Sequence, residues 1–176
     1  MNIALNEVKT QAKRLLKSLN GKQPISVKLT LQMKRLGLTL AGEIKLKHCL
    51  VMVSQQLGFE NWHHAQLILS GNEQPHSQTD MGSFFYNNAC GVFLNLWFAT
   101  IEEAQQALSS NPKNRWLLPY KKQFIVVERN YLIALNLSAD TLSLCSAIQH
   151  DLYQGYNTEI WDSIAYEVIR HRKIIS

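Results

Sequence analysis

A polar stretch in the middle of the chain separates two halves with different hydrophobic patterns. Residues 71–80 contain one Gly, one Pro and no aliphatic side chain, a composition typical of a linker. Residues 1–70 repeat apolar side chains at helical spacing, whereas residues 81–176 combine short apolar runs with helical segments. The sequence therefore predicts a basic helical domain over 1–70, a linker over 71–80 and an α+β domain over 81–176, each half with its own core.

Positive charge is concentrated before the linker. Residues 1–72 carry ten Lys or Arg against three Asp or Glu, a net of +7, and residues 73–176 carry eight against ten, a net of −2. A strongly basic segment suits an anionic partner. The sequence thus favours nucleic acid or an acidic protein surface as the partner of the first half, and it leaves a homodimer open.

An amphipathic first helix is predicted over residues 5–19. Apolar residues recur at three- and four-residue steps on one side, and basic residues fall on the other side. Because the basic side has no interleaved acids, it favours an interaction surface, with an ordinary solvated face as the alternative. The apolar side comprises Leu5, Val8, Ala12, Leu15, Leu16 and Leu19, and the basic side comprises Lys9, Lys13, Arg14 and Lys17.

The segment 25–44 fits two patterns. Apolar and polar residues alternate from Val27 to Lys34, as in a strand, but Leu29, Met33 and Leu36 also form a helical stripe. The sequence alone leaves both structures open. Basic residues in and after this segment are further candidates for phosphate contacts. They are Lys34, Arg35, Lys45 and Lys47.

Two more helices, joined by a tight corner, are predicted from residue 46 to residue 69. Gly58 ends the first of them, and Asn61 is a favourable N-cap for the second. Phe59 and Trp62 are expected to be buried aromatic side chains that lock the two helices together.

This corner resembles part of the small N-terminal domain of the bacterial "glyoxalase-related" proteins. The most specific element is Leu57-Gly58-Phe59-x-x-Trp62, and Val8-Lys9-x-x-Ala12-Lys13-x-Leu15 is similar to the first helix of that family. The resemblance covers residues of about 5–20 and 44–66. It implies a helical architecture and no chemistry, since the strands of residues 81–176 do not present the His and Glu ligands of a metal-binding glyoxalase fold. The family also passes quickly from its first helix to its second, whereas this chain inserts residues 25–43.

The same corner fits a helix-turn-helix motif. In that motif the start of the second helix enters the major groove of DNA. Base edges would then be faced by Asn61, His63, His64 and Gln66. The phosphate contacts would come from Lys34, Arg35, Lys45 and Lys47. A plain helical hairpin with solvated polar residues is the alternative.

Residues 81–176 predict a small antiparallel or mixed sheet with helices packed on it, so the fold class is α+β. The pair Thr100 and Glu103 forms a capping box at the start of one helix. Strands are expected at 84–86, 92–98, 116–118 and 124–127, and helices at 100–108, 131–135, 138–152 and 159–173.

The cysteine and histidine residues do not form a recognisable reactive or metal-binding pattern. Three widely separated cysteines in apolar surroundings, Cys49, Cys90 and Cys145, indicate reduced core thiols in a cytoplasmic protein. The His residues near Cys49 lack the spacing of zinc ligands, and His48 is expected to bond the backbone at its helix start. The sequence therefore predicts no metal and no cofactor.

These observations favour a non-enzymatic binding protein. Its basic half would contact nucleic acid or another anionic surface, and residues 81–176 would provide a partner-binding or dimerisation platform. A protein–protein adaptor or inhibitor without a nucleic-acid role is the alternative, and an enzyme using Cys90 or His residues is a third. No apolar stretch approaches the length of a membrane span, so no membrane role is expected.

Overall fold

The described part of the first half of the chain contains four helices. The structure is a computed structural model, and it describes residues 2–21, 25–39, 42–71, 75–76 and 78–174. The helices are α1 (Ile3–Asn20), α2 (Val27–Arg35), α3 (Leu46–Gln56) and α4 (Trp62–Ser70). The first helix is thus confirmed, and the ambiguous segment is helical. Leu29 and Met33 are buried on the inner side of α2, while Val27 and Leu31 are exposed.

The second half contains a small sheet and further helices. Its elements are β1 (Leu96–Phe98), α5 (Ile101–Ser109), β2 (Arg115–Tyr120), β3 (Gln123–Glu128), α6 (Arg129–Ala134), α7 (Ala139–Leu144) and α8 (Glu159–His171). Two 3₁₀ helices span Asn88–Val92 and Cys145–Ile148. The predicted α+β class is confirmed. Within the described ranges, no helix combines the length and the apolar character needed to cross a membrane.

The sheet is antiparallel, with the strand order β1-β3-β2. Strands β2 and β3 form a hairpin around Lys121, which has a positive φ of 52°. One face of the sheet packs against α5 through Leu117, Phe124 and Val126. The opposite face contributes to the main core, so the sheet is covered on both sides.

Three of the sequence predictions for this half need correction. The expected strand at 84–86 is a turn, closed by the Tyr86 N–H donating to Ser83 O at 3.0 Å. Phe84 and Phe85 are both buried there, whereas a one-sided strand would expose one of them. The strand expected over 92–98 covers only its last three residues, and the helix expected over 138–152 ends as α7 at Leu144.

One hydrophobic core joins the two halves. The main cluster of buried residues runs from Ala4 in α1 to Ile169 in α8. The Tyr156 hydroxyl donates to the Ile68 carbonyl of α4 at 2.7 Å, in a buried hydrogen bond between the halves. The expectation of two separate cores is therefore corrected, because helices of the first half bury their apolar faces against the second half.

The Gly58 corner is one place where the halves join. Gly58 has a φ of +97°, and its carbonyl accepts the Ser83 N–H at 2.9 Å. A Cβ at residue 58 would lie 2.4 Å from Ser83 Oγ and 2.9 Å from the Ser83 carbonyl carbon. Only glycine allows both this backbone conformation and this close approach.

Aromatic rings continue the junction into the core. Phe59 is buried and stacks on Phe84, with ring centroids 5.3 Å apart, and Phe84 in turn meets the edge of Trp161 at 6.0 Å. Trp62, in contrast, is only partly buried. The prediction for Phe59 is confirmed, whereas the locking role expected of Trp62 is carried by Phe59 together with Phe84.

A buried carboxylate from the last helix caps the first helix. Asp162 Oδ2 accepts the Ile3 N–H at 2.9 Å, and its Oδ1 accepts the Ala4 N–H at 3.1 Å. The N-cap residue Asn2 makes no side-chain capping bond itself. Two N–H groups that a helix leaves unpaired at its start are thus satisfied by an acidic group, which the helix dipole also favours.

Replacing Gly58 is expected to weaken the junction. Gly58→Ala adds a methyl group against the Ser83 backbone and forces an unfavourable φ, so the free energy of unfolding should fall by about 2–4 kcal/mol. Gly37→Ala is the matched control, because Gly37 also has a positive φ of 69° but open space around it. Urea denaturation should show a smaller loss for the control; equal losses would contradict the steric account.

Removing the Asp162 carboxylate is expected to destabilise α1. Asp162→Ala leaves two N–H groups without acceptors, and the free energy of unfolding should fall by about 1–3 kcal/mol. Glu159→Ala is the control, since Glu159 is an exposed acid in the same first turn of α8. Equal losses of stability in the two variants, measured by chemical denaturation, would contradict the capping of α1. They would indicate that the Asp162 carboxylate stabilises the protein only through the dipole of α8.

Candidate anion-binding groove

Helices α1 and α8 lie side by side and run in the same direction. Asp162, near the start of α8, bonds the first turn of α1, and two turns later Gln11 Nε2 donates to the Ile169 carbonyl at 2.9 Å. The last turns of both helices therefore lie at the same end of the pair. Both are basic, with Lys17 in α1 and Arg170 in α8.

A groove of about 340 Å³ opens between these two helix ends. Three arginines are among its lining residues. The lining residues are Gln11, Arg14, Leu15 and Ser18 from α1, Arg170 from α8, and Arg172 and Ile174 after it. Arginine presents several donors in a planar fork that matches carboxylate and phosphate groups. The groove can therefore hold an anion with geometric selectivity.

The guanidinium of Arg172 is fixed in place by backbone carbonyls. Its Nη2 donates to Phe84 O at 2.6 Å and also to Tyr86 O. Partial burial lowers the pKa of Arg172 below its ordinary value. Within the described ranges no carboxylate lies within 4.0 Å of Arg172 or Arg170. A partly buried cation without a counter-ion is costly, so an anion bound here would be stabilised.

Arg14 is exposed, with 73% of its side chain accessible. Its nearest carboxylate is Glu7 Oε1, at 3.8 Å, and that oxygen also accepts a hydrogen bond from Gln11 Nε2 at 3.1 Å. A separation of 3.8 Å is longer than a hydrogen bond, so the exposed guanidinium of Arg14 keeps its donors available to a ligand.

Gln11 contributes an unusual group to the groove wall. The side chain is buried, and its Oε1 is an acceptor without a hydrogen-bond partner. Buried polar atoms in proteins are nearly always paired. This amide oxygen is therefore a candidate acceptor for a water molecule or a ligand hydroxyl after a small side-chain movement.

The lysines predicted on α1 extend the basic surface beyond the groove. Lys9, Lys13 and Lys17 are exposed, and no carboxylate of the described part of the chain pairs with them. At about 100° per residue, Lys17 lies about 60° from Arg14 on the helix, and Ser18 lies about 40° to the other side. We refer to Lys9, Lys13 and Lys17 as the lysine stripe. Arg14 thus lies between the lysine stripe and the groove.

The other predicted basic residues lie elsewhere. Arg35 lines a separate groove between α2 and α3, together with Lys28, and Lys34 is exposed in the last turn of α2. Lys45 pairs with Glu43 at 3.0 Å, and Lys47 is exposed on α3. Arg14 and Arg35 therefore belong to different surfaces.

The residues predicted to read bases are largely engaged within the protein. Asn61 Oδ1 accepts the His64 N–H at 2.9 Å, which confirms its capping role. His64 Nδ1 accepts the Glu60 N–H at 3.1 Å, and Nε2 lies 2.6 Å from Asp80 O. A carbonyl only accepts, so Nε2 carries the proton and donates. Both side chains thus stabilise the corner, whereas His63 is exposed.

Like His64, His48 accepts a backbone N–H through its Nδ1 near the start of a helix. Its Nδ1 accepts the Lys45 N–H at 3.1 Å at the start of α3, as predicted. In the ranges that the structure describes, no three His, Cys, Asp or Glu side chains come together as metal ligands.

The cysteines are core residues. Cys49, Cys90 and Cys145 are buried and free. Burial raises the pKa of Cys49 and of Cys145 from 9.0 to about 11, and it also raises the pKa of Cys90. Nucleophilic cysteines need the opposite shift and some exposure, so the environment of Cys90 does not favour catalysis.

Arg170 and Arg172 were not among the predicted site residues. They belong to the run Arg170-His171-Arg172-Lys173, which is as basic as any segment of α1. The net charge of −2 over residues 73–176 hides this run, and only the pairing of α1 with α8 brings it next to Arg14. Comparisons with protein-family models, curated proteins and solved structures find nothing that matches the chain.

The raised thiol pKa values predict a loss of stability at alkaline pH. Between about pH 9 and 11 the unfolded chain releases thiol protons that the native protein retains, so the free energy of unfolding should fall as pH rises. A Cys49→Ala/Cys145→Ala variant should show a shallower fall of the free energy of unfolding with pH.

Native thiols should also react slowly with a disulfide reagent at pH 8, because the three cysteines are buried. Fast reaction of the native protein would contradict this account.

Proposed function

We propose that the protein binds nucleic acid, without catalysing a reaction on it, through a basic face formed by α1 and the end of α8. The observation that carries the proposal is the groove that Arg14, Arg170 and Arg172 help to line. Arg170 and Arg172 have no carboxylate partner among the described residues. Phosphate groups would supply the missing negative charge.

The lysine stripe on α1 favours a polymer over a small anion. Lys13 and Lys17 follow Arg14 around and along the helix, and they are exposed. A single phosphate in the groove would leave these charges unused, whereas a strand crossing α1 could place successive phosphates against them. Binding of this kind releases counter-ions and is steeply dependent on salt.

Helix stabilisation is the competing explanation for part of this charge. Cations in the last turn of a helix interact favourably with its dipole, typically by about 0.3–1 kcal/mol. Lys17 and Arg170 occupy such positions. This explanation does not apply to Lys13, which precedes the last turn.

An adaptor or inhibitor that binds another protein is the second candidate. Exposed apolar side chains near β1 support it, among them Val92 and Leu94. In the nucleic-acid proposal, the same surface of the second half serves as a platform for a partner or a second copy. The resemblance of residues 5–20 and 44–66 to glyoxalase-related proteins remains a proposal about architecture. Three free thiols support a reducing location such as the cytoplasm.

Charge substitutions in the two grooves test the proposal. We expect single-stranded and duplex nucleic acid to bind the wild type at low salt, with affinity falling steeply as salt rises. Arg14→Ala/Arg170→Ala should lower the salt slope by about two units, as expected for two lost phosphate contacts. The binding isotherms are measured by fluorescence anisotropy at several salt concentrations, with RNA and DNA strands of equal length.

Lys28→Ala/Arg35→Ala is the matched control, because it removes the same charge from the other groove. It should leave the salt slope and the affinity near those of the wild type. Absence of binding at low salt would overturn the proposal and favour the adaptor. Equal losses in the two double variants would show that net charge, and not the groove, governs binding.

A further inference from the structure

We propose that two copies of this chain associate through the open edge of β1, so that their sheets join as one antiparallel sheet. The inference deepens the platform role proposed above for the second half. It rests on that part of the proposed function and is independent of phosphate binding.

Strand β1 is paired along one edge only. Leu96, Trp97 and Phe98 lie opposite residues 124–126 of β3, and no other described strand adjoins β1. An unpaired edge presents N–H and C=O groups that can pair with another chain. The residues that form this surface are Val92, Leu94, Leu96 and Trp97; we refer to them as the β1 edge.

The opposite edge of the sheet is covered. The Leu117 N–H of β2 donates to His150 O, and the Leu152 N–H donates to Leu117 O, each at 2.9 Å. A short segment of the same chain therefore occupies the outer edge of β2, with Leu117 and Asp151 in a parallel bridge. The protein closes one edge of its sheet and leaves the other accessible.

The β1 edge is apolar to a degree that is unusual for free surface. Val92 and Leu94 are 81% and 103% exposed, and Leu96 and Trp97 are 44% and 45% exposed. The indole of Trp97 meets the Tyr120 ring at 5.1 Å and 89°, which fixes its orientation. Large exposed apolar side chains beside an unpaired strand, one of them an ordered aromatic ring, are typical of an interface.

The β1 edge also lacks the charges that normally protect an edge strand. No Lys, Arg, Asp or Glu occurs from residue 81 to residue 101. Natural edge strands are commonly shielded by such residues, especially Lys, or by Pro. Their absence here favours pairing and argues against selection for a permanently solvated edge.

A second copy is the occupant that this charge pattern favours. The chain carries a net charge of +5, so two copies repel each other unless the contact surface is neutral. Antiparallel pairing about a two-fold axis at Trp97 would place Trp97 opposite its own copy and Leu96 opposite Phe98. Every such cross-strand pair is apolar, and no like charges oppose each other.

The short strand limits the strength of the contact. Stable interfaces bury about 1,200–2,000 Å² in total, and a three-residue strand with a few side chains provides the core of a small one. We therefore expect a reversible dimer whose population rises with protein concentration, not a permanent one.

Sedimentation velocity of the full chain over a wide concentration range tests the inference. The wild type should approach twice the monomer mass at high concentration. Leu94→Lys/Leu96→Lys brings two like charges from each copy into the apolar contact, with Lys at residue 96 facing Phe98 of the other copy, and should raise the dimer dissociation constant at least tenfold. Both side chains are exposed, and near-ultraviolet circular dichroism should confirm that the variant remains folded.

Val27→Lys/Leu31→Lys is the matched control, because it adds the same charge at exposed apolar positions of α2. It should dimerise like the wild type. A wild type that stays monomeric throughout, or equal effects of the two double variants, would overturn the inference. Nucleic-acid binding by the Leu94→Lys/Leu96→Lys variant separates the two proposals. Loss of dimerisation leaves the groove between α1 and α8 intact, so the monomeric variant should still bind nucleic acid.

Discussion

At the corner between α3 and α4, the Gly58 carbonyl receives the Ser83 N–H, and the backbone near Ser83 occupies the space of any larger side chain at residue 58. Phe59 follows directly and stacks on Phe84, which reaches Trp161 of α8. The helices of the first half are thereby held against the last helix. Without this contact the two halves of the chain would lose one of the main places where they pack together.

The groove exists because the same packing aligns α1 with α8. Asp162 fixes the start of α1, and Gln11 is bonded to Ile169 two turns later, so the two helix ends are held in register. Arg172 is then tied to carbonyls of the turn that follows Ser83. The contacts that stabilise the fold thus also fix the guanidinium of Arg172 and align the helix ends that carry Arg14 and Arg170.

Local elements were predictable from the sequence because their signals are local. The stripe on α1, the Asn61 cap and the Thr100 cap each involve residues within a few turns, and each is present, with the Thr100 side chain accepting the Glu103 N–H. The joint core and the arginine groove were not predictable. They depend on contacts between residues as far apart as Ile3 and Asp162, which no periodicity encodes. The helical structure of α2 was decided by burial of Leu29 and Met33, which a short alternating pattern does not specify.

The capping of α1 by α8 also sets an order of events during synthesis. The ribosome makes α1 well before its capping carboxylate and the α8 side of the groove, because Asp162 lies 159 positions after Ile3. An incomplete chain therefore exposes the apolar side of α1 with nothing from α8 to cover it, a state prone to aggregation. Chains truncated before α8 would lack Arg170 and Arg172 and would therefore not form the groove. The complete basic face thus forms only after α8 has been translated.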